Sequence, residues 1–112
     1  MLFIVLLIIP VQVIAGEYKE IWQCRDQFKT NVPTIVVAKI SNDQKFGEIE
    51  VANTKYITAF LIEGFNRMWV WGITQEEKPQ IKFDFVIKPN GDGTYRDFVS
   101  GDRQEMTCKQ NK

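Results

Sequence analysis

The chain has 112 residues, with 14 Lys+Arg, 14 Asp+Glu and no histidine, so its formal net charge is zero. That length implies one domain, and 45% hydrophobic against 25% charged residues is a globular balance, not a disordered one. The lack of histidine excludes Ser-His-Asp and Cys-His nucleophilic sites and Cys/His zinc clusters. Zero net charge argues against a nucleic-acid partner held by a basic surface, and no pattern in the chain points to a cofactor.

The first 15 residues carry no charge. Leu2 to Ile9 has the length of a signal-peptide apolar core and is too short to span a bilayer. Pro10 breaks a helix there, and Val13 and Ala15 stand at the −3 and −1 positions of a cleavage site before Gly16. The expectation is a signal peptide over 1–15 and a single secreted β domain over 16–112. That places the protein in a secreted or periplasmic location and leaves no integral membrane segment after cleavage. A membrane anchor or a buried strand is the alternative, and the missing Lys or Arg at the extreme N-terminus weakens the signal.

Secretion changes what two cysteines mean. Cys24 and Cys108 stand near opposite ends of the mature chain, and in an oxidising compartment one intramolecular disulfide is the default. Its loop of 85 residues, both ends counted, is worth about 4.5 kcal/mol in the chain-entropy picture. Free thiols or a disulfide-linked dimer are the alternatives.

Along the mature chain the dominant period is two. Tyr18 to Cys24 alternates weakly. Arg25 to Pro33 is the least β-like stretch and reads as a loop or short helical turn. Thr34 to Ile40 is β-branched and apolar on both faces, as a central strand is. Ser41 to Lys45 is a turn, and Phe46 to Val51 alternates with Glu48 and Glu50 outward. Asn53-Thr54 turns into Lys55 to Ile62, the longest strand. Gly64-Phe65-Asn66 turns again, and Met68 to Ile73 is the next strand, followed by a polar loop over Thr74 to Pro79. Ile81 to Lys88 is the clearest strand, with Ile81, Phe83, Phe85 and Ile87 on one face and Lys82, Asp84 and Lys88 on the other. Pro89 to Gly93 is a hairpin turn using Asn90 and Gly91 at positive φ. Thr94 to Val99 runs back, and Glu105 to Lys109 closes the chain.

About eight short strands with short connections and no amphipathic helix predict an all-β, antiparallel up-and-down meander, barrel or sandwich. A disulfide between the first and last strands brings the sheet edges together and closes it. With 97 mature residues the interior is expected to be filled or nearly so.

Several residues invite chemistry. Asn90-Gly91-Asp92-Gly93 resembles half a calcium loop, but Lys88 and Val99 stand where the EF-hand pattern needs acids, which favours a plain hairpin turn. Asp84 and Asp97 form a possible acid/base pair, but Lys82, Lys88 and Arg96 nearby favour a cross-strand ion-pair patch. Ser41 and Ser100 have no histidine base. Trp22 shares a face with Cys24 and so is expected to pack near the disulfide.

Arg67, Trp69 and Trp71 share one strand face, with Met68 and Val70 on the other. If exposed, the face is a rigid aromatic platform ending in a guanidinium and the candidate binding surface. If buried, the rings are core and Arg67 sits at the barrel mouth.

Trp22-Gln23-Cys24 near the start and Cys108-Lys109 near the end are similar to the plan of small periplasmic lysozyme inhibitors, which are β-barrels with an aromatic-x-Cys opening. Their Ser-Gly-x-x-Tyr-type inhibitory loop has no counterpart, since Ser100-Gly101 continues into Asp102-Arg103-Gln104. The expected function is non-enzymatic binding of a protein or cell-envelope component. A hydrophobic-ligand carrier, an inhibitor of a secreted hydrolase and a histidine-free hydrolase are the alternatives, the last opposed by the lack of a nucleophile–base pair.

Overall fold

A computed structural model describes residues 18–27 and 34–111. The signal-peptide reading of 1–15 lies outside the described residues. Eight strands follow in order: β1 (Tyr18–Asp26), β2 (Ile35–Ser41), β3 (Phe46–Val51), β4 (Thr54–Glu63), β5 (Asn66–Ile73), β6 (Ile81–Ile87), β7 (Asp92–Asp97) and β8 (Arg103–Asn111). Each pairs antiparallel with its sequence neighbour, and β1 pairs with β8, so the meander is a closed barrel. Of the two architectures the sequence leaves open, it is the barrel.

The disulfide lies on the closing seam. Cys24 and Cys108 are directly opposite in the β1–β8 ladder, with Cα atoms 4.0 Å apart and their sulfurs bonded. Both are almost fully buried, so the cross-link points into the barrel. A disulfide here fits an oxidising, secreted or periplasmic compartment.

Alternation decides which side chains go inside. Trp22 and Cys24 of β1, Val36, Ala38 and Ile40 of β2, and Ile49 of β3 pack with Phe60 of β4, Trp69 and Trp71 of β5, Phe85 and Ile87 of β6, and Met106 and Cys108 of β8. The outer positions of the same strands carry charges such as Lys39, Glu48, Lys82 and Glu105. This is the reverse of the polar-inside, apolar-outside alternation of a transmembrane barrel.

Two glycines make the interior fit. A Cβ on Gly47 would stand 2.4 Å from Cδ1 of Trp69, and one on Gly93 would stand 2.8 Å from Sγ of Cys108 and 3.1 Å from Cζ of Phe85. The large rings occupy the space that these missing side chains leave, which is how a small barrel pairs large and small residues.

Local chemistry moves several boundaries from where the sequence places them. β1 continues through Arg25 and Asp26, because both remain paired with β8 and the Asp26 carboxylate accepts the Thr34 backbone N–H at 3.1 Å. The β3–β4 turn is Ala52-Asn53, not Asn53-Thr54. Both residues have positive φ, 51° and 66°, as a two-residue type I′ hairpin requires. Only Gly91, not Asn90, has positive φ in the β6–β7 turn. Asn90 contributes its side-chain oxygen instead, accepting the Asp92 N–H at 2.9 Å. β7 stops at Asp97 and leaves Phe98 and Val99 in a loop, because the Asp97 carboxylate accepts the N–H groups of Val99 and Ser100. Those bonds offer the backbone an alternative to the ladder. They also hold the Asp97 carboxyl below its ordinary range, the Ser100 N–H being the largest cause.

Candidate binding surface

The face of β5 that carries Arg67, Trp69 and Trp71 turns into the barrel. The exposed aromatic platform is therefore absent, and the rings are core. The physical reason is closure: once β1 meets β8, one face of every strand must fill the interior, and on β5 it is the bulkier face. Trp69 is 0% exposed and Trp71 6%. The Trp69 indole N–H donates to the backbone carbonyl of Lys39 at 2.9 Å, so its polar atom is satisfied inside. Its ring meets Phe60 edge-on at 5.2 Å and Phe85 at 5.9 Å.

Trp71 lies nearer the other end, stacked between Tyr56 at 5.9 Å and Phe83 at 5.6 Å, with Tyr95 edge-on at 5.8 Å. Burial pushes the Tyr95 phenol above its ordinary pKa, and the Asp97 charge adds to the rise.

Arg67 closes the mouth at the β4–β5 turn. Its Nε and Nη2 donate to the two carboxylate oxygens of Glu20 at 2.6 and 2.9 Å. Its guanidinium lies 5.1 Å from the Trp22 ring centroid, and the Trp22 indole N–H donates to the same carboxylate at 2.7 Å. The bidentate bond from Arg67 is the main reason the Glu20 carboxyl sits below its ordinary value. Burial opposes the shift, and the Trp22 bond reinforces it. Glu20, Trp22 and Arg67 thus form a charged plug over the apolar core.

The carboxylates proposed as a pair are not together. Asp84, on the outer face of β6 and only 2% exposed, faces Arg96 across the β6–β7 ladder. Arg96 Nε donates to it at 2.8 Å, and a second nitrogen of the same fork closes the bidentate pair. Asp97 is opposite Phe83 and holds its own loop.

The outer surface beside Arg67 carries an exposed apolar feature that period-two alternation does not reveal. β4 and β5 join through Gly64 and Phe65, a two-residue turn with Gly64 at φ 65°. Glycine at the first turn position and an ordinary φ at the second match a type II′ hairpin. This geometry holds Phe65 at the tip, 84% exposed, with Ile62 at 51% and Leu61 at 41% beside it. The signal was available, since a Phe at the centre of a two-residue turn cannot reach either face of the sheet.

From this tip a groove of about 210 Å³ runs over the outer face of β5 to β8. Met68 and Val86, directly opposite each other, form its apolar floor. Glu63, Asn66 and Lys88 line it at the hairpin end, and Arg96 and Arg103 at the other. It is smaller than a pocket for a drug-sized molecule and open along the surface. Compared with known protein families, curated proteins and solved structures, the chain matches none.

Proposed function

We propose that this is a secreted or periplasmic, non-enzymatic binding protein that recognises a protein or cell-envelope component through the β4–β5 hairpin, after removal of a signal peptide at Ala15. The observation that carries the reading is Phe65, 84% exposed at the tip of a tight turn and flanked by exposed Leu61 and Ile62. A large aromatic group fixed by a two-residue turn loses little conformational entropy on binding, and centrally placed aromatic groups dominate interface energies. The plug of Glu20, Trp22 and Arg67 anchors the base of the hairpin.

The filled interior favours recognition by the outer surface over carriage of an apolar ligand inside. Inhibition of a secreted hydrolase is a special case of the same reading, because a narrow tip bearing one aromatic side chain is shaped for a cleft.

The test is capture from periplasmic or culture fractions with the tagged protein and its Phe65→Ser variant. The wild type is expected to retain a partner that the variant loses, while the two melt together, since an exposed side chain contributes within about 0.5 kcal/mol. A partner held equally by both proteins would overturn the hairpin assignment.

A further inference from the structure

The β4–β5 ladder runs from Glu63↔Asn66 to Ala59↔Val70 and stops there, although β4 extends back to Thr54 and β5 on to Ile73. The same register places Ile57 opposite Gly72. Gly72 has φ 69°, which takes β5 out of the ladder with β4 while Trp71↔Phe83 and Ile73↔Ile81 keep it paired with β6. A glycine in a strand interior often marks such a departure.

The turns at both ends of β4 fix which way its backbone groups point. Val51↔Thr54 and Glu63↔Asn66 close two-residue hairpins, and such closing pairs are hydrogen-bonded. Bonded and non-bonded pairs alternate along an antiparallel ladder. Even-numbered residues of β4 therefore bond to β3, and odd-numbered ones face β5. Lys55 and Ile57 turn their N–H and C=O groups to the side where pairing has ended, and no backbone bond outside the ladders engages them among the described residues.

The side chains here are also unfinished. Ile57 is 69% exposed, Ile73 51% and Tyr56 39%. The Thr58 hydroxyl, on a residue only 4% exposed, has no hydrogen-bond partner among the described residues. Across β5 from the gap, the Cβ of Lys82 lies only 3.0 Å from where a Cβ on Gly72 would stand, so its side chain meets no β5 side chain there. Neither Lys55 nor Lys82 is in an ion pair among the described residues.

We propose that the open length of β4, Thr54–Thr58, accepts an extended segment of a partner protein as an added strand. Main-chain bonds to Lys55 and Ile57 supply the affinity, and alternate side chains supply the selectivity, as in other strand additions. The segment carries apolar residues on its inward side, over Tyr56, and Asp or Glu outward, against Lys55 and Lys82. A second copy of this chain fits less well, because it brings its own β3 and β5 into a gap flanked by the Tyr56–Trp71 stack. The gap is at the opposite end of β4 from Phe65, so this inference is independent of the hairpin reading.

The test uses a phage-displayed library of random peptides panned against the purified exported protein. The expected winners alternate apolar and acidic residues and slow amide exchange at Lys55 and Ile57 by at least about tenfold. Ile57→Pro removes a donor that β3 does not use, so the fold tolerates it at this local edge, and it should abolish binding. Phe65→Ser should leave binding intact. The proposal is overturned if no peptide is selected, if selected peptides leave exchange at Lys55 and Ile57 unchanged, or if a folded Ile57→Pro variant still binds them. Should that variant not fold, amide exchange on the wild type decides alone. Peptides lost on Phe65→Ser without protection at Lys55 and Ile57 would refute strand addition and support the hairpin instead.

Discussion

Replacing Gly47 with alanine adds one methyl group and is expected to destabilise the barrel by about 2–4 kcal/mol. The new Cβ would lie 2.4 and 2.5 Å from Cδ1 and Nε1 of Trp69 and 2.8 Å from the backbone oxygen of Lys39. Ordinary contact begins about 1 Å farther out. The carbonyl belongs to the β2–β3 ladder and cannot retreat, so the indole must. Doing so breaks its 2.9 Å bond to that same carbonyl. Overpacking costs about 1–3 kcal/mol, and a buried donor left without a partner costs about 1–3 more. Alanine recovers about 0.5–1 kcal/mol by restricting the unfolded chain. With a urea dependence of about 1.5 kcal/mol per molar, the unfolding midpoint should fall by about 2 M. The companion measurement is a double-mutant cycle with Trp69→Phe, whose smaller ring frees the space. Gly47→Ala should then cost at least about 1 kcal/mol less than in the parent. A midpoint within error of wild type, or strictly additive single changes, would refute the packing argument.

Three further outcomes follow from the same geometry. Reducing the disulfide, or replacing Cys24 and Cys108 together by serine, should remove up to about 4.5 kcal/mol; an unchanged melting temperature in reductant would contradict its place on the closing seam. Glu20 is held below its ordinary 4.5 by Arg67, so its ionised form favours the native state. That contribution is complete above the unfolded value and fades as pH falls through the depressed native value. The melting-temperature gap between wild type and Glu20→Gln should therefore close as pH falls below the ordinary 4.5, and a gap that widens on acidification would invert the assignment. Arg96→Met should cost about 2–4 kcal/mol by stranding the buried Asp84 carboxylate, with water reaching the 37%-exposed arginine site keeping the loss at the lower end; Asp84→Asn in the same chain should restore much of it in urea titration.

The strands were legible wherever polar and apolar residues alternate cleanly. Ile81 to Lys88 gave one inward face, and Phe83, Phe85 and Ile87 lie on it as read. The cysteines gave the pairing of the first and last strands, because β1 and β8 have no other element to connect them in sequence. Trp69 and Trp71 were not decidable in this way, because β5 is apolar on both faces. Met68 and Val70 compete with the tryptophans for the interior, and only the register with Phe60 on one side and Phe85 on the other settles it. The candidate surface was less legible still. Phe65 sits among turn residues, where a period-two reading stops counting, and Trp71-Gly72-Ile73 reads as unbroken strand until the sign of φ at Gly72 is known.

Closure of the barrel limits the places where a partner could dock. A closed ladder satisfies nearly all its own backbone groups and has no edge to offer, and its interior here is filled by indoles, phenyl rings and a disulfide. What remains for a partner is what projects beyond the ladder or what the ladder leaves unpaired. β5 supplies both kinds of place. At its start the chain enters from a two-residue turn that pushes Phe65 into solvent, and near its end Gly72 releases β4 from pairing. Between them Trp69 and Trp71 pin the strand to the core, so neither feature can relax by letting the strand drift. Substitutions at Trp69 should therefore disturb both surfaces at once, whereas Phe65 and Ile57 should act separately. That difference would separate a residue that only holds the strand in place from one that contacts a partner.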